Sequence, residues 1–221
     1  MNLDFSKITP YIPFMLEGIL VTIKFVSVAL IFGFILGTLL ALCKISSIKP
    51  LNWLASVYTS IFRGTPLILQ LMFFYLAIPQ LTGYDISPFL SAVLAFGLNS
   101  AAYISEIIRA GIQAVDKGQT EAALALGVPY NQMMKDIILP QAFKNILPAL
   151  MNEVITLTKE SALVSTISVL DLMRRAQVVG ADLYRNFEPL LFVGFIYWIM
   201  VFGLSSIGRL IERRLKVSDQ S

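Results

Sequence analysis

Four windows of this chain, residues 25–43, 64–84, 86–105 and 189–208, contain no charged side chain. A helix crossing the hydrocarbon core of a bilayer needs about 20 consecutive, mostly apolar residues, and each window has that length. Backbone at that depth must satisfy its own hydrogen bonds, which a helix does within the segment. A fifth segment, 146–168, has the same Leu/Ile/Val frame but carries Glu153, Lys159 and Glu160. The expectation is one all-α integral membrane domain of five transmembrane helices, at about 14–43, 54–80, 88–110, 146–168 and 189–211. Glu17 and Lys24 fall inside the first span, and an odd number of spans puts the termini on opposite sides.

Composition excludes the competing classes. Hydrophobic residues make up 57% of the 221 and charged residues 14%, against about 45–50% and 25% in soluble domains. Mean hydropathy is +0.75. There is no histidine, which removes Ser-His-Asp and Cys-His chemistry and His-based metal sites together. The one cysteine, Cys43, precludes an internal disulfide and reads as a small buried hydrophobe. The net charge of +3 comes from scattered basic residues, so no nucleic-acid partner is expected. Residues 1–13 show no basic segment, short apolar core and cleavage site, so no signal peptide is expected.

Lysine and arginine set the orientation. With the N-terminus outside, the inner segments hold Lys44, Lys49, Arg109, Lys117, Lys135, Lys144, Arg209, Arg213, Arg214 and Lys216. The outer segments hold Lys7, Arg174, Arg175 and Arg185. The excess favours an N-terminus outside and a cytoplasmic C-terminus, with Arg174 and Arg175 the awkward pair.

Local signals mark the span ends. Ser87-Pro88 puts a capping hydroxyl ahead of a first-turn proline. Thr65-Pro66 repeats this inside the second span, after Arg63-Gly64, which predicts a helix that breaks and restarts at Pro66. A break at membrane depth either faces a watery path or is a proline kink against lipid.

The longest connection, 111–145, is not linker-like. Residues 120–126 read T-E-A-A-L-A-L, with Glu121 expected in the first turn of a helix. Gly127 ends that helix and Pro129 prevents its continuation. A second helical stretch, 131–138, is expected to end before Leu139-Pro140. Two short helices on the cytoplasmic face form either a docking platform or an ordinary interfacial hairpin.

Glu121-Ala122-Ala123, Gly127, Ile137, Leu139 and Pro140 at these spacings resemble the EAA loop of permease subunits of ATP-binding-cassette importers. Three further stretches are similar to the polar amino-acid branch of that family, which serves histidine, glutamine, arginine and their relatives. They are R-G-T-P-L at 63–67, A-Y-I-S-E-I-I-R at 102–109 and I-L-P-Q-A at 138–142. The similarity runs from about Gly18 to Arg214. One departure is Ala162, where the branch usually has a hydroxyl. The resemblance implies a bacterial-type plasma-membrane subunit in which Glu121, Ala122, Ala123 and Gly127 belong to a coupling helix. It further implies a second permease subunit, identical or closely related, two cytoplasmic ATPase subunits and an extracytoplasmic amino-acid-binding protein. The chain has no Gly-Lys dipeptide and hence no G-x-x-x-x-G-K-[ST]. No cofactor is therefore expected on it, ATP and Mg belonging to the partner ATPase.

Six ionisable side chains lie in or beside the spans: Lys24, Arg63, Glu106, Glu153, Lys159 and Glu160. At about 3 kcal/mol each, leaving all of them unpaired in lipid would cost roughly 18 kcal/mol, more than most folds possess. They must be paired, wet or near an interface, and Lys24 is read as snorkelling. Glu153, Thr156 and Glu160 share a helical face that Asn152 and Lys159 overlap. Asn99, Tyr103 and Glu106 form a stripe on the third span, and Gln70 follows the break in the second by about a turn. The expectation is a central cavity holding an amino acid, with Asn152, Glu153, Gln70, Tyr103, Asn99 and Thr156 as binding residues. Arg63, Glu106, Lys159 and Glu160 are expected as structural ion pairs or a gate; the bland alternative for all ten is interhelical packing. The acidic excess leans toward arginine, lysine or histidine. The rival class is an ion-coupled secondary carrier or small channel, although five spans do not divide into two inverted halves.

Overall fold

The structure, a computed structural model, describes residues 3–217, with side chains to residue 214. Lys216 of the charge count and residues 1–2 of the leader reading therefore lie outside the described residues or side chains. Every described regular element is helical: α1 (Ile12–Ile45), α2 (Lys49–Gly64), α3 (Leu67–Met72), α4 (Ile78–Thr82), α5 (Pro88–Gln113), α6 (Lys117–Ala125), α7 (Tyr130–Met133), α8 (Leu139–Glu160), α9 (Leu172–Asp182) and α10 (Phe187–Val217). Wider, π-helical turns at Phe73–Ala77 and Met134–Ile138 join α3 to α4 and α7 to α8.

α1 and α5 form the spine of the fold. The buried residues of α1 include Gly18, Thr22, Phe25, Ala29, Gly33, Gly37 and Ala41, one face at a spacing of three to four. The small residues let backbone meet backbone. A Cβ on Gly37 would lie 2.8 Å from the Ala101 carbonyl, and one on Gly97 would lie 2.2 Å from the Phe32 ring. In lipid such contact is worth more than apolar area, since tails are as apolar as leucine. Phe25 then stacks edge-on to Phe96 with centroids 4.9 Å apart. Leu71 of α3, Leu157 of α8 and Val164 close the same core.

Three segments are long and apolar enough to cross a membrane: Phe5–Ile45, Pro88–Gln113 and Phe187–Arg214. A fourth is the bent pair Lys49–Gly64 and Leu67–Thr82, which turns by 102° at its break. The break falls at Thr65-Pro66, where the restart was expected, and its freed carbonyls are met by side-chain amides. Gln70 Nε2 donates to the Phe62 and Thr65 carbonyls at 2.9 and 3.1 Å, and Asn99 Nδ2 donates to Phe62 at 3.0 Å.

The expected fourth span differs most. α8 begins at Leu139 rather than near residue 146, and it gives way at Ser161 to a tighter 3-10 turn, Ser161–Ile167. The helix at 131–138 does not stop before Leu139-Pro140 but runs on into α8. A proline in a helix lacks an N–H and pushes against the carbonyl four residues back. The π turn just before it widens the helix there, and Gln141 Nε2 takes up the Ile137 carbonyl at 2.9 Å. Pro79 follows the π turn Phe73–Ala77 in the same order. With Lys144, Glu153, Lys159 and Glu160 along it, α8 does not reach membrane-span apolarity by composition.

α9 was not expected. Asp171 caps it, accepting the Arg174 N–H at 2.8 Å and the Tyr197 hydroxyl at 3.2 Å. The Leu172 N–H donates to Thr22 Oγ1 at 3.3 Å, fastening α9 to α1. Arg175 is held by Glu17 Oε2 and the Phe14 carbonyl, each at 2.7 Å. Ahead of α1, hydrogen bonding from the Ser6 hydroxyl holds the Asp4 carboxyl below its ordinary value.

Candidate functional site

A cavity of ≈ 510 Å³ opens where the break between α2 and α3 faces α5 and α8. That volume falls in the roughly 300–1,000 Å³ range of small-molecule sites. The break contributes Thr65, Pro66 and Leu67, and α5 contributes Asn99, Tyr103 and Ile107. α8 contributes Ala149, Asn152, Glu153, Thr156 and Glu160. The wall thus carries two carboxylates, two amides, two aliphatic hydroxyls and a phenol, and no cation. Such a lining can accept hydrogen bonds from an ammonium or guanidinium group and offers amide donors to a polar partner.

Five of the expected binding residues, Asn99, Tyr103, Asn152, Glu153 and Thr156, meet on this wall. Ser100 Oγ donates to Glu153 Oε1 at 2.9 Å, which orients the carboxylate and leaves its other oxygen without a recorded hydrogen bond. Because α8 starts early, Glu153 stands about 21 Å along the helix from Leu139. Gln70 does not line the cavity. Buried behind the break, it spends Nε2 on Phe62 and Thr65 and accepts from Asn99 at 3.1 Å.

The four residues expected as ion pairs separate. Glu106 takes Lys44 on Oε1 and Arg109 on Oε2, the latter at 2.6 Å, with Arg63 3.8 Å away. Lys44, a partner the sequence reading did not assign, comes from the last turn of α1, so one carboxylate joins α1, α2 and α5. Its signal was a lysine ending a charge-free window. Glu160 lines the cavity instead, and Lys159 is exposed beside it. Ala162 lies on the 3-10 turn after α8 and is not among the lining residues, so the hydroxyl it replaces is absent from the turn rather than from the wall.

The second candidate surface is α6. It starts at Lys117 with Asp116 as cap, accepting the Gly118 N–H at 2.7 Å, so Glu121 is in mid-helix and not in the first turn. Asp116 is the better capping residue, and it precedes a glycine-containing turn that the reading passed over. Gly127, at φ +73, ends the helix with paired bonds from its own N–H to Leu124 and from Val128 to Ala123. Ala123 is buried against Met133 and Ile138, whereas Glu121 and Ala122 are exposed. Leu124 and Leu126, 58% and 82% exposed, leave the outer face apolar.

A helical bundle with several apolar helices, a polar cavity at a broken helix and an exposed apolar helical tip has the form of a membrane transport component. Residues 12–217 match the family described as binding-protein-dependent transport system inner membrane component, and the chain belongs to that family. It is 60% identical over 219 residues to an arginine transport system permease protein of Bacillus subtilis (strain 168), covering 99% of this chain and 100% of the relative. It is 51% identical over 212 residues to a putative glutamine transport system permease protein of Rickettsia bellii (strain RML369-C), covering 96% and 97%. A crystal structure of an amino acid ABC transporter with histidines superposes with a TM-score of 0.94 at 45% identity, covering 97% of this chain and 100% of that one. The MetNI methionine ABC transporter shares the fold, with a TM-score of 0.77 at 22% identity over 94% and 98% of the two chains.

Proposed function

We propose that this chain is the permease subunit of an ATP-driven importer of polar amino acids, with cationic amino acids as its cargo. The observation that carries the reading is the cavity at the helix break, whose wall holds Glu153 and Glu160 and no cation. Two carboxylates suit a cargo with an α-ammonium and a second positive charge, and the names of the arginine relative and the histidine-containing structure point the same way.

In this reading α8 is the fourth of five spans, its charges tolerated because they face the cavity, and the chain has its N-terminus outside and its C-terminus in the cytoplasm. Two permease subunits, identical or paralogous, stand on two ATPase subunits that bind ATP and Mg. An extracytoplasmic binding protein delivers the amino acid. The exposed apolar tip of α6, with Glu121, Ala122 and the Gly127 stop, is the coupling helix that receives ATPase motion. The chain itself moves cargo and makes no covalent step.

Substrate-stimulated ATPase activity of the reconstituted complex tests this. Glu153→Gln removes the charge and keeps the shape, and should raise half-saturation for arginine by on the order of tenfold. Unchanged half-saturation would sink the assignment of Glu153.

A further inference from the structure

An amino acid is a zwitterion, and the cavity answers only half of it. Its recorded wall offers carboxylates for the ammonium but no cation for the α-carboxylate. Burying that carboxylate without a charged partner would be costly. Three cations gather around Glu106, one turn along α5 from the cavity residue Tyr103, and they are not equivalent. Lys44 is bonded to Glu106 Oε1 and Thr59, with its side chain 8% exposed, and Arg109 is committed to Glu106 Oε2 and Gln113.

Arg63 differs. It ends α2, two residues before Thr65 of the cavity wall, and its side chain is 44% exposed. Its distance of 3.8 Å to Glu106 is beyond hydrogen-bond length, and that carboxylate already has closer partners. Among the described residues its guanidinium makes no hydrogen bond. Its other recorded contact is with the ring of Tyr103, a cavity residue, at 5.3 Å from the centroid. A guanidinium stacked on an aromatic ring keeps its in-plane N–H donors free, and their fork matches a carboxylate in bidentate fashion.

We propose that Arg63 is the receptor for the α-carboxylate of the transported amino acid, held over Tyr103 at the mouth of the cavity. This rests on the cavity being the amino-acid site. Tyr103 positions the guanidinium, Glu106 attracts it without using up its donors, and Glu153 and Glu160 take the positive end of the cargo. The site then selects α-amino acids over amines of the same side chain.

The test is equilibrium binding of radiolabelled arginine to the purified permease–ATPase complex without binding protein, with arginine and agmatine, which lacks the carboxylate, as competitors. Wild type should prefer arginine by on the order of tenfold or more. Arg63→Gln should weaken arginine to the level of agmatine and leave agmatine unchanged, whereas Arg63→Lys, keeping the charge without the fork, should retain part of the preference. Undiminished preference in Arg63→Gln, equal weakening of both ligands, or loss of preference in Lys159→Gln instead would overturn the role of Arg63. A wild-type complex that binds no arginine would overturn the cavity assignment itself, and the proposal with it.

Discussion

Asn99 donates its side-chain amide to Gln70 Oε1 at 3.1 Å, and both amides also serve the Phe62 carbonyl freed by the break in the second span. The pair does for this break what water does for a surface helix end. Gln70→Leu should therefore destabilise the protein by about 1–3 kcal/mol, because it strands buried carbonyls. Gln70→Glu, which also lacks the donors, should be no better. Thermal unfolding in detergent reads this directly, and an unchanged midpoint for Gln70→Leu would show that the break does not need the amide.

Among the described residues, Glu106 is the one acid paired with Lys44, Arg63 and Arg109. Removing it leaves a half-buried cluster of like charges, so Glu106→Gln should destabilise more than Lys44→Met does. The double variant should cost less than the sum of the two. Additive losses in a double-mutant cycle would mean that the two residues are not energetically coupled.

The approach of α1 to α5 depends on residues without side-chain bulk. Gly97→Val puts atoms into the space of the Phe32 ring and should cost about 1–3 kcal/mol or more. Gly203→Ala, on the open face of α10 with no neighbour near its Cβ, should be nearly silent. The yield of monodisperse protein on size-exclusion chromatography compares them, and equal yields would contradict the packing account.

At the tip of α6, Leu126 is too exposed to support the fold. Leu126→Asp should leave the stability within about 0.5 kcal/mol of wild type, yet reduce co-purification of the ATPase. Gly127→Val, at φ +73, should instead cost about 1–2 kcal/mol through the backbone. Full ATPase recovery with Leu126→Asp would remove α6 from the coupling surface.

The charge-free windows were readable because hydropathy is a one-dimensional property, and α1, α5 and α10 follow it to within a few residues. Thr65-Pro66 was readable as a break because hydroxyl-proline chemistry is local. The start of α8 was not, because Leu139-Pro140 is a stop signal in an α-helix and ceases to be one after a π turn. α9 has its signal in Asp171 standing before Leu172, Ala176 and Val179, buried at helical spacing, but Arg174 and Arg175 within it break the apolar run that marks a span. Within the site, helical spacing grouped Tyr103 with Glu106, but three residues also advance about 4.5 Å, enough to part a cavity wall from a cation cluster. Gln70 was assigned by nearness to the break, and its partners there are backbone carbonyls, which no side-chain pattern displays.

The helix that runs from Tyr130 through the π turn to Glu160 joins the short α7 end to the cavity wall in one continuous element, with Pro148 as the point where its hydrogen-bond ladder loses a donor. Glu153 stands about 22 Å along that helix from Ile138, so a tilt of about 10° of the whole segment about that point would carry its backbone about 4 Å sideways. That is roughly the width of one strand of polypeptide. A nudge at the base, too small to unfold anything, would be geared up by leverage into a larger displacement at the cavity wall.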